Sequence, residues 1–196
     1  MLRECTDAVN LEGTRGQTFF NHVVKDYKLV LLMGLPLTGK SYYMKNYEPH
    51  PGWDYSYWNK EPILTMLNRR GNIDPTFYNH INQLENSVFP KVLEQDFQQL
   101  IYEGYGRMLS FRRKLLSYQE GVKSCCLVFD GPKNLIVERG VLQGLSRSEF
   151  DLDLEKMIMS VQWPKFSEGW SSIYYCNSFG KDGLDYFLKS CHARGY

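Results

Sequence analysis

The amino-acid sequence predicts an α/β protein in which a parallel β-sheet is covered by helices on both faces. Three apolar runs indicate buried strands, at residues 28–34, 124–130 and 172–177. Segments with helical spacing lie between these runs, and such alternation requires right-handed crossovers that produce a parallel sheet. Ligands bind at the carboxyl ends of the strands in such sheets, so the residues that follow the runs are the first site candidates.

The first apolar run ends in a phosphate-binding loop, with the sequence Gly34-Leu35-Pro36-Leu37-Thr38-Gly39-Lys40-Ser41. The backbone N–H groups of residues 35–41 can surround a phosphate, Lys40 can reach β and γ oxygens, and Ser41 can ligate Mg²⁺. A buried strand before the loop and helix-forming residues after it are the context that this motif requires. The loop therefore predicts that the chain binds a nucleoside triphosphate together with Mg²⁺.

The segments on either side of this strand and loop are less regular. We expect residues 1–26 to form an N-terminal arm with one short helix that packs on the main domain, residues 27–196. Two prolines and a glycine in residues 48–58 exclude a helix there, but residues 55–58 can form a short second strand. Residues 62–70 have the composition of a helix.

The middle of the chain shows the longest helical pattern. Apolar residues at spacings of three and four predict one helix over 77–103, with a kink or break at Pro90 and glycines at 104 and 106 to end it. The remaining elements are predicted as a strand at 107–110, helices at 111–119, 135–142, 150–159 and 182–192, and the strands at 124–130 and 172–177. Asp130 ends the first of these two strands and could hold Mg²⁺ through water.

The composition limits the possible functions. The net charge is +1, from 23 basic and 22 acidic residues, which excludes the global positive field that drives nonspecific nucleic-acid binding. No apolar run has the length of a membrane span and the first residues lack the core of a signal peptide, so we expect a cytoplasmic protein without a membrane partner. Neither the five cysteines nor the four histidines show metal-ligand spacing.

The order of the motifs resembles the P-loop kinases of the polynucleotide 5′-kinase type. Four stretches carry this resemblance: the phosphate-binding loop with its Pro36; Asn59-Lys60-Glu61 after a short strand; Val128-Phe129-Asp130 followed by Glu138-Arg139; and the tail Pro164-Lys-Phe-Ser-Glu168-Gly169-Trp170-Ser-Ser-Ile173. Together they span residues 28 to about 179 in the family's order.

The resemblance implies a three-layer P-loop kinase fold that uses ATP and Mg²⁺. It implies that Glu61 is the general base that accepts the proton of the acceptor hydroxyl, while Asp54 in the same loop is a rival for that role. It also implies that Arg139 lies in a lid helix and stabilises charge on the transferring phosphoryl group. Arg147 would then replace the second lid arginine, because Gln143 stands at that position.

Other departures from the family pattern concern the phosphate acceptor. Leu64 stands where these kinases often have an arginine for the acceptor phosphate, and Ser110 stands where an acidic residue is expected. Leu37 replaces a glycine, so the loop must adopt a negative φ there or tolerate strain. Basic residues that could meet an acceptor phosphate are Lys45, Arg69, Arg70, Arg112, Arg113 and Lys114.

Several functions are compatible with these residues. A kinase could phosphorylate a 5′-hydroxyl end of a nucleic acid, a hydroxymethyl group on a modified DNA base, or a nucleoside or nucleoside monophosphate. The aromatic residues Trp53, Tyr55, Tyr57 and Trp58 would suit stacking on an unstacked base. The alternative class is a nucleotide-binding or ATP-hydrolysing protein that transfers no phosphoryl group, which the absence of an acid at position 110 favours.

Overall fold

The fold is given by a computed structural model. It describes residues 8–10, 13–49, 51–59, 80–81, 83–84, 86–88, 90–91, 98–106, 108–118, 121–179 and 186. Within these residues six strands form one sheet in the spatial order β1-β6-β5-β2-β4-β3. The strands are β1 (Ala8–Asn10), β2 (Leu29–Gly34), β3 (Tyr55–Asn59), β4 (Gln99–Gly104), β5 (Ser124–Asp130) and β6 (Ser172–Asn177). Each neighbouring pair is parallel, so the carboxyl ends of all six lie at one edge.

The helices cover both faces of this sheet. They are α1 (Gly13–Lys25), α2 (Lys40–Lys45), α3 (Leu109–Ser117), α4 (Lys133–Leu142) and α5 (Arg147–Met159), with a short 3₁₀ turn at Phe166–Glu168 and further helical residues between positions 80 and 91. No helix in the described ranges is both long and apolar enough to cross a bilayer. The predicted helices at 62–70 and, apart from residue 186, at 182–192 lie outside the described residues.

Alternating side chains of the central strands form two separate cores. Val30 and Leu32 of β2 pack on one face with Phe20 of α1 and Tyr43 of α2, whereas Leu31 packs on the other face, in the core that contains Leu115 of α3. Strands β2 and β5 are fully buried, which explains their continuous apolar sequence. The α/β class with helices on both faces, predicted from the sequence, is therefore confirmed.

Strand β4 corrects the sequence analysis. The predicted helix over 77–103 is wrong at its end, because Gln99–Gly104 form a buried strand between β2 and β3. A short, fully buried apolar run has no alternation, so its periodicity does not distinguish a strand from the end of a buried helix. The predicted strand at 107–110 is also wrong, because helix α3 begins at Leu109.

The N-terminal segment forms part of the same sheet and core. As expected, its helix packs on the domain: Phe20, Val23 and Val24 of α1 are at most 6% exposed. The sequence analysis did not predict strand β1, in which Ala8 is in register with Tyr175 of β6. Residues 8–25 therefore supply an edge strand and a core helix rather than only an arm that lies against the domain.

Helices α4 and α5 form a hairpin that packs on the phosphate-binding loop. At the end of α4, the Leu145 N–H donates to the Gly140 carbonyl at 3.0 Å, and Gly144 has a φ of 87°, the left-handed conformation that closes such a helix end. Gly140 also lets the two helices approach, since a Cβ atom there would lie 2.6 Å from the Phe150 ring. A third core cluster joins Leu35 of the loop to both helices, through Ile136, Val137 and Leu154.

A buried ion pair joins α3 to the segment before β6. The Arg112 side chain is 0% exposed, and its Nε and Nη2 atoms each donate to the Glu168 carboxylate at 2.7 Å. Its other N–H groups donate to the carbonyls of Gly106, Gln162 and Trp163, so all five donors are used. Arg112 was one of the basic residues considered for an acceptor phosphate, and its burial excludes that role.

Candidate functional site

The phosphate-binding loop runs from the end of β2 to the start of α2, and its carbonyl groups are held by side chains. Lys40 Nζ donates to the carbonyls of Gly34 and Leu35, at 2.8 and 2.7 Å. Thr38 Oγ1 donates to the same Leu35 carbonyl at 2.7 Å. The Lys40 ammonium therefore lies inside the loop, where its charge is available to a phosphate that displaces these carbonyls.

The outer side of the loop is held by residues from two other elements. Arg139 of α4 donates to the Leu37 carbonyl at 3.0 Å, and Ser178, which follows β6, donates from Oγ to the Thr38 carbonyl at 2.6 Å. Arg139 also donates to Ser178 and stacks on the Phe179 ring, with 3.7 Å between Cζ and the ring centroid. Burial lowers the pKa of Arg139, although a guanidinium remains protonated near neutral pH. Arg139 thus clamps the loop to the end of β6.

Leu37 adopts the strained alternative of the two conformations expected for it. Its φ is 61°, in the left-handed region, which costs an L residue with a side chain about 1–2 kcal/mol. Its side chain packs against the cluster of Leu35, Ile136, Val137 and Leu154. Contacts with the α4–α5 hairpin and the hydrogen bond from Arg139 therefore hold the conformation that a glycine would adopt freely.

Glu103 of β4 is a site residue that the sequence analysis missed. It is 3% exposed, and Ser41 Oγ donates to its Oε1 at 2.5 Å. The Tyr57 hydroxyl of β3 donates to Oε2, and Asn59 Nδ2 donates to the Tyr57 oxygen at 3.1 Å. The assignment of residues 77–103 to a helix concealed Glu103, a carboxylate near the carboxyl end of the strand that pairs with β2.

A signal for Glu103 was nevertheless present in the sequence. The segment Leu-Ile-Tyr-Glu-Gly at 100–104 repeats the pattern of Leu-Val-Phe-Asp-Gly at 127–131, which was recognised as a buried strand ending in an acid. In the sheet, these two segments belong to β4 and β5, which flank β2 on its two sides. The shared pattern would have predicted a carboxylate on each side of the phosphate-binding strand.

Asp130 lies at the carboxyl end of β5, as predicted. It is 7% exposed, and the Gly131 N–H donates to its Oδ1 at 2.9 Å. In the pairing of β5 with β2, Phe129 is opposite Gly34, the first residue of the loop. Asp130 follows Phe129, so it lies beside the start of the loop. The structure therefore places two carboxylates, Glu103 and Asp130, at the edge that carries Lys40 and Ser41.

Of the two candidate bases, only Asp54 lies within the described residues. Asp54 precedes β3, and its backbone N–H and C=O bond to Gln98 just before β4, at the amino edge of the sheet. Asn59, at the carboxyl edge, lies five residues further along the strand, which corresponds to roughly 16 Å. The structure does not bring Asp54 to the loop, and we do not retain it as a base. Glu61 lies outside the described residues.

A cavity of about 600 Å³ extends from the loop along α2 to the α4–α5 hairpin. Its lining includes Leu37, Gly39, Lys40, Ser41, Tyr42, Tyr43, Lys45, Arg139, Gln143 and Ser178. Arg147, predicted to replace a lid arginine, is exposed at the first residue of α5 and is not among these residues. The structure therefore does not support a nucleotide contact by Arg147.

Comparison with known proteins agrees with this architecture. No protein-family model matches the chain, and no curated protein is significantly similar to it in sequence. Its structure is similar to the crystal structure of a "putative kinase" from Chloroflexus aurantiacus, with a TM-score of 0.54 and 16% sequence identity, over 85% of this chain and 97% of that one. At this identity the likeness concerns the fold and does not indicate the polynucleotide 5′-kinase type. The chain has an α/β fold shared with that kinase-like protein.

Proposed function

We propose that this protein is an ATP-dependent kinase that transfers the γ-phosphoryl group to a hydroxyl group. The observation that carries the proposal is the arrangement of Lys40, Ser41 and Glu103. Lys40 is followed directly by Ser41, whose hydroxyl donates to the buried Glu103 carboxylate at 2.5 Å. Phosphoryl transfer depends mainly on positioning and on cations around the phosphate oxygens. A loop lysine together with a hydroxyl–carboxylate pair is suited to supply both.

The residues at this edge fit Mg²⁺. The ion prefers hard oxygen ligands, takes only one or two protein groups and keeps several waters. Because Ser41 donates its proton to Glu103, its oxygen lone pairs can face a cation, while Glu103 and Asp130 add negative charge at the same edge. When bound, Mg²⁺ would neutralise charge on the β and γ phosphate oxygens.

The remaining roles follow from the resemblance and the geometry. Lys40 exchanges its two loop carbonyls for phosphate oxygens, and Arg139 keeps the loop closed from the lid side. We propose Glu61 as the base that accepts the acceptor's proton. It follows by two residues Asn59, which is in register with Glu103 at the carboxyl edge.

Within this function we propose a nucleic-acid hydroxyl as the acceptor. The support is the Asn59-Lys60-Glu61 sequence and the half-exposed Tyr57 on strand β3, whose ring could stack on a base. A nucleoside or nucleoside monophosphate is the alternative acceptor. The absence of an acid at position 110 favoured a protein without transfer activity. Glu103 weakens that case, because it supplies a buried carboxylate beside Ser41.

The test is product analysis with γ-labelled ATP. The acceptors are an oligonucleotide with a 5′-hydroxyl, one with a hydroxymethylated base, a nucleoside and a nucleoside monophosphate. We expect label on one of the two oligonucleotides. Label on the nucleoside or the nucleoside monophosphate would show that the acceptor is a small molecule rather than a nucleic acid. Label released only as inorganic phosphate would identify an ATPase.

Replacing Glu103 by glutamine should lower the transfer rate about a hundredfold, the scale of losing one positioned electrostatic group. Glutamine keeps an acceptor oxygen for Ser41 but removes the negative charge, so a higher Mg²⁺ concentration should be needed for half-maximal rate. Asp54→Asn is the matched control, because Asp54 lies at the opposite edge, and it should leave both quantities unchanged. A loss of rate in Asp54→Asn without a loss in Glu103→Gln would instead assign the essential carboxylate to Asp54.

Replacing Arg139 by alanine should lower kcat by about one to two orders of magnitude and weaken nucleotide binding less. Lysine at this position should restore activity only in part, because a point charge cannot bond to Leu37 and Ser178 and also stack on Phe179. Arg147→Ala is the control and should behave as wild type. Equal losses in affinity and in kcat for Arg139→Ala would show a binding contact without a role in turnover.

A further inference from the structure

The phenol of Tyr57 occupies a defined place between two strands. β3 and β4 pair in parallel with Tyr57 opposite Ile101 and Asn59 opposite Glu103, so the side chains of these four residues point to the same face of the sheet. The Tyr57 hydroxyl donates its proton to Glu103 Oε2 and accepts a hydrogen bond from Asn59. The Tyr57 hydroxyl is therefore engaged both as a hydrogen-bond donor and as an acceptor.

This contact determines how the Glu103 carboxylate is oriented. Rotation about the last bond of a glutamate side chain is broad and weakly restrained by itself. Ser41 occupies one carboxylate oxygen and Tyr57 occupies the other, so the plane of the carboxylate is held from both sides. Burial and the neighbouring Glu103 raise the pKa of Tyr57 well above its ordinary value, so the phenol remains a donor throughout the neutral range.

We propose that Tyr57 is a positioning residue for Glu103 and, through it, for the cation-binding hydroxyl of Ser41. This inference rests on the proposed function. Tyr57 acts from the edge strand β3 and requires no contact of its own with the phosphates. Without its hydroxyl, the carboxylate can rotate away from the geometry that directs the Ser41 lone pairs toward a cation.

The experiment measures nucleotide binding rather than turnover. A fluorescent methylanthraniloyl derivative of ATP is titrated into wild type, Tyr57→Phe and Tyr55→Phe, over a series of Mg²⁺ concentrations and without Mg²⁺. Tyr55 is the matched control: it lies two residues earlier on the same face of β3 and is equally exposed, and its ring contacts Tyr47. Each substitution removes one phenolic oxygen and keeps the ring.

We expect Tyr57→Phe to raise the Mg²⁺ concentration for half-maximal enhancement of binding about tenfold, the scale seen when a group that orients a metal ligand is lost. Its affinity without Mg²⁺ should be unchanged, and Tyr55→Phe should match wild type in both respects. A purely structural role would lower the urea midpoint of Tyr57→Phe without this shift in Mg²⁺ dependence.

The outcomes separate the two proposals. Wild type that binds nucleotide with an Mg²⁺ enhancement, together with an unshifted Tyr57→Phe, overturns the role of Tyr57 and leaves the kinase proposal standing. An equal shift in Tyr55→Phe also overturns it, because the shift would then come from a general change in β3 and not from the contact of the Tyr57 hydroxyl with Glu103. Wild type that binds no nucleotide overturns the proposed function and this inference with it.

Discussion

Lys40→Met is expected to reduce phosphoryl transfer by about a hundredfold to a thousandfold. Methionine keeps an unbranched apolar stem in a side chain that is 9% exposed, but it removes the charge that lies 2.7–2.8 Å from two loop carbonyls. The proposed site for the β and γ phosphates then loses the positive charge inside the loop. The measurement is the initial rate with γ-labelled ATP at saturating acceptor.

The control for this variant is Lys45→Met, in the same helix. Lys45 lines the same cavity but is exposed at the end of α2, so its loss should change the rate by no more than a few-fold. Urea unfolding should show that both variants fold. A Lys40→Met protein that keeps more than about a tenth of the wild-type rate would mean that the loop is not the donor site.

Glu168→Gln is expected to lower the free energy of unfolding by about 3–5 kcal/mol, the largest stability effect in this set. The substitution removes the only formal charge that the 0%-exposed Arg112 side chain contacts directly in the described part of the chain. Glu168 also accepts from the Lys165 N–H and from Trp170 Nε1, so a glutamine must present one amino group to a site made only of donors. The measurement is equilibrium unfolding in urea.

Two further variants test the physical cause. Replacing both partners, Arg112→Met with Glu168→Leu, should be less destabilising than Glu168→Gln alone, because no buried charge is left without its partner. Asp151→Asn breaks the exposed pair between Lys133 and Asp151 and should leave the unfolding midpoint almost unchanged. A small loss for Glu168→Gln would mean that the Arg112 charge is compensated elsewhere.

The sequence predicted the parts of the fold whose pattern is local. β2, β5 and β6 are short, mainly apolar runs. The phosphate-binding loop combines glycines with a lysine and a serine, and a structural role alone does not call for that combination. β4 was missed because its burial on both faces removes the alternation that marks a strand, and a helical pattern precedes it along the chain. The loss of β4 also concealed Glu103, since a carboxylate assigned to a helix end has no reason to meet Ser41.

Other features of the site depend on tertiary contacts that the sequence does not contain. Arg112 and Glu168 are 56 residues apart, and each was interpreted as a candidate for function or family likeness. Their burial together is decided by the packing of α3 against the segment before β6. The position of Asp54, the rival candidate for the base, is a similar case, because its distance from the loop follows from the direction of β3 in the sheet.

The pairing of β1 with β6 has a consequence for how the chain folds during synthesis. In the described part of the sheet, β1 lies at the edge, and its neighbour is the last strand along the chain, with Ala8 in register with Tyr175. The ribosome must therefore synthesise and release the chain through β6 before β1 can find its partner. Pairings between such distant segments close slowly, so β1 should be among the last elements to join the sheet. The central strands and α2, which carry Glu103 and Ser41, can assemble before that final step.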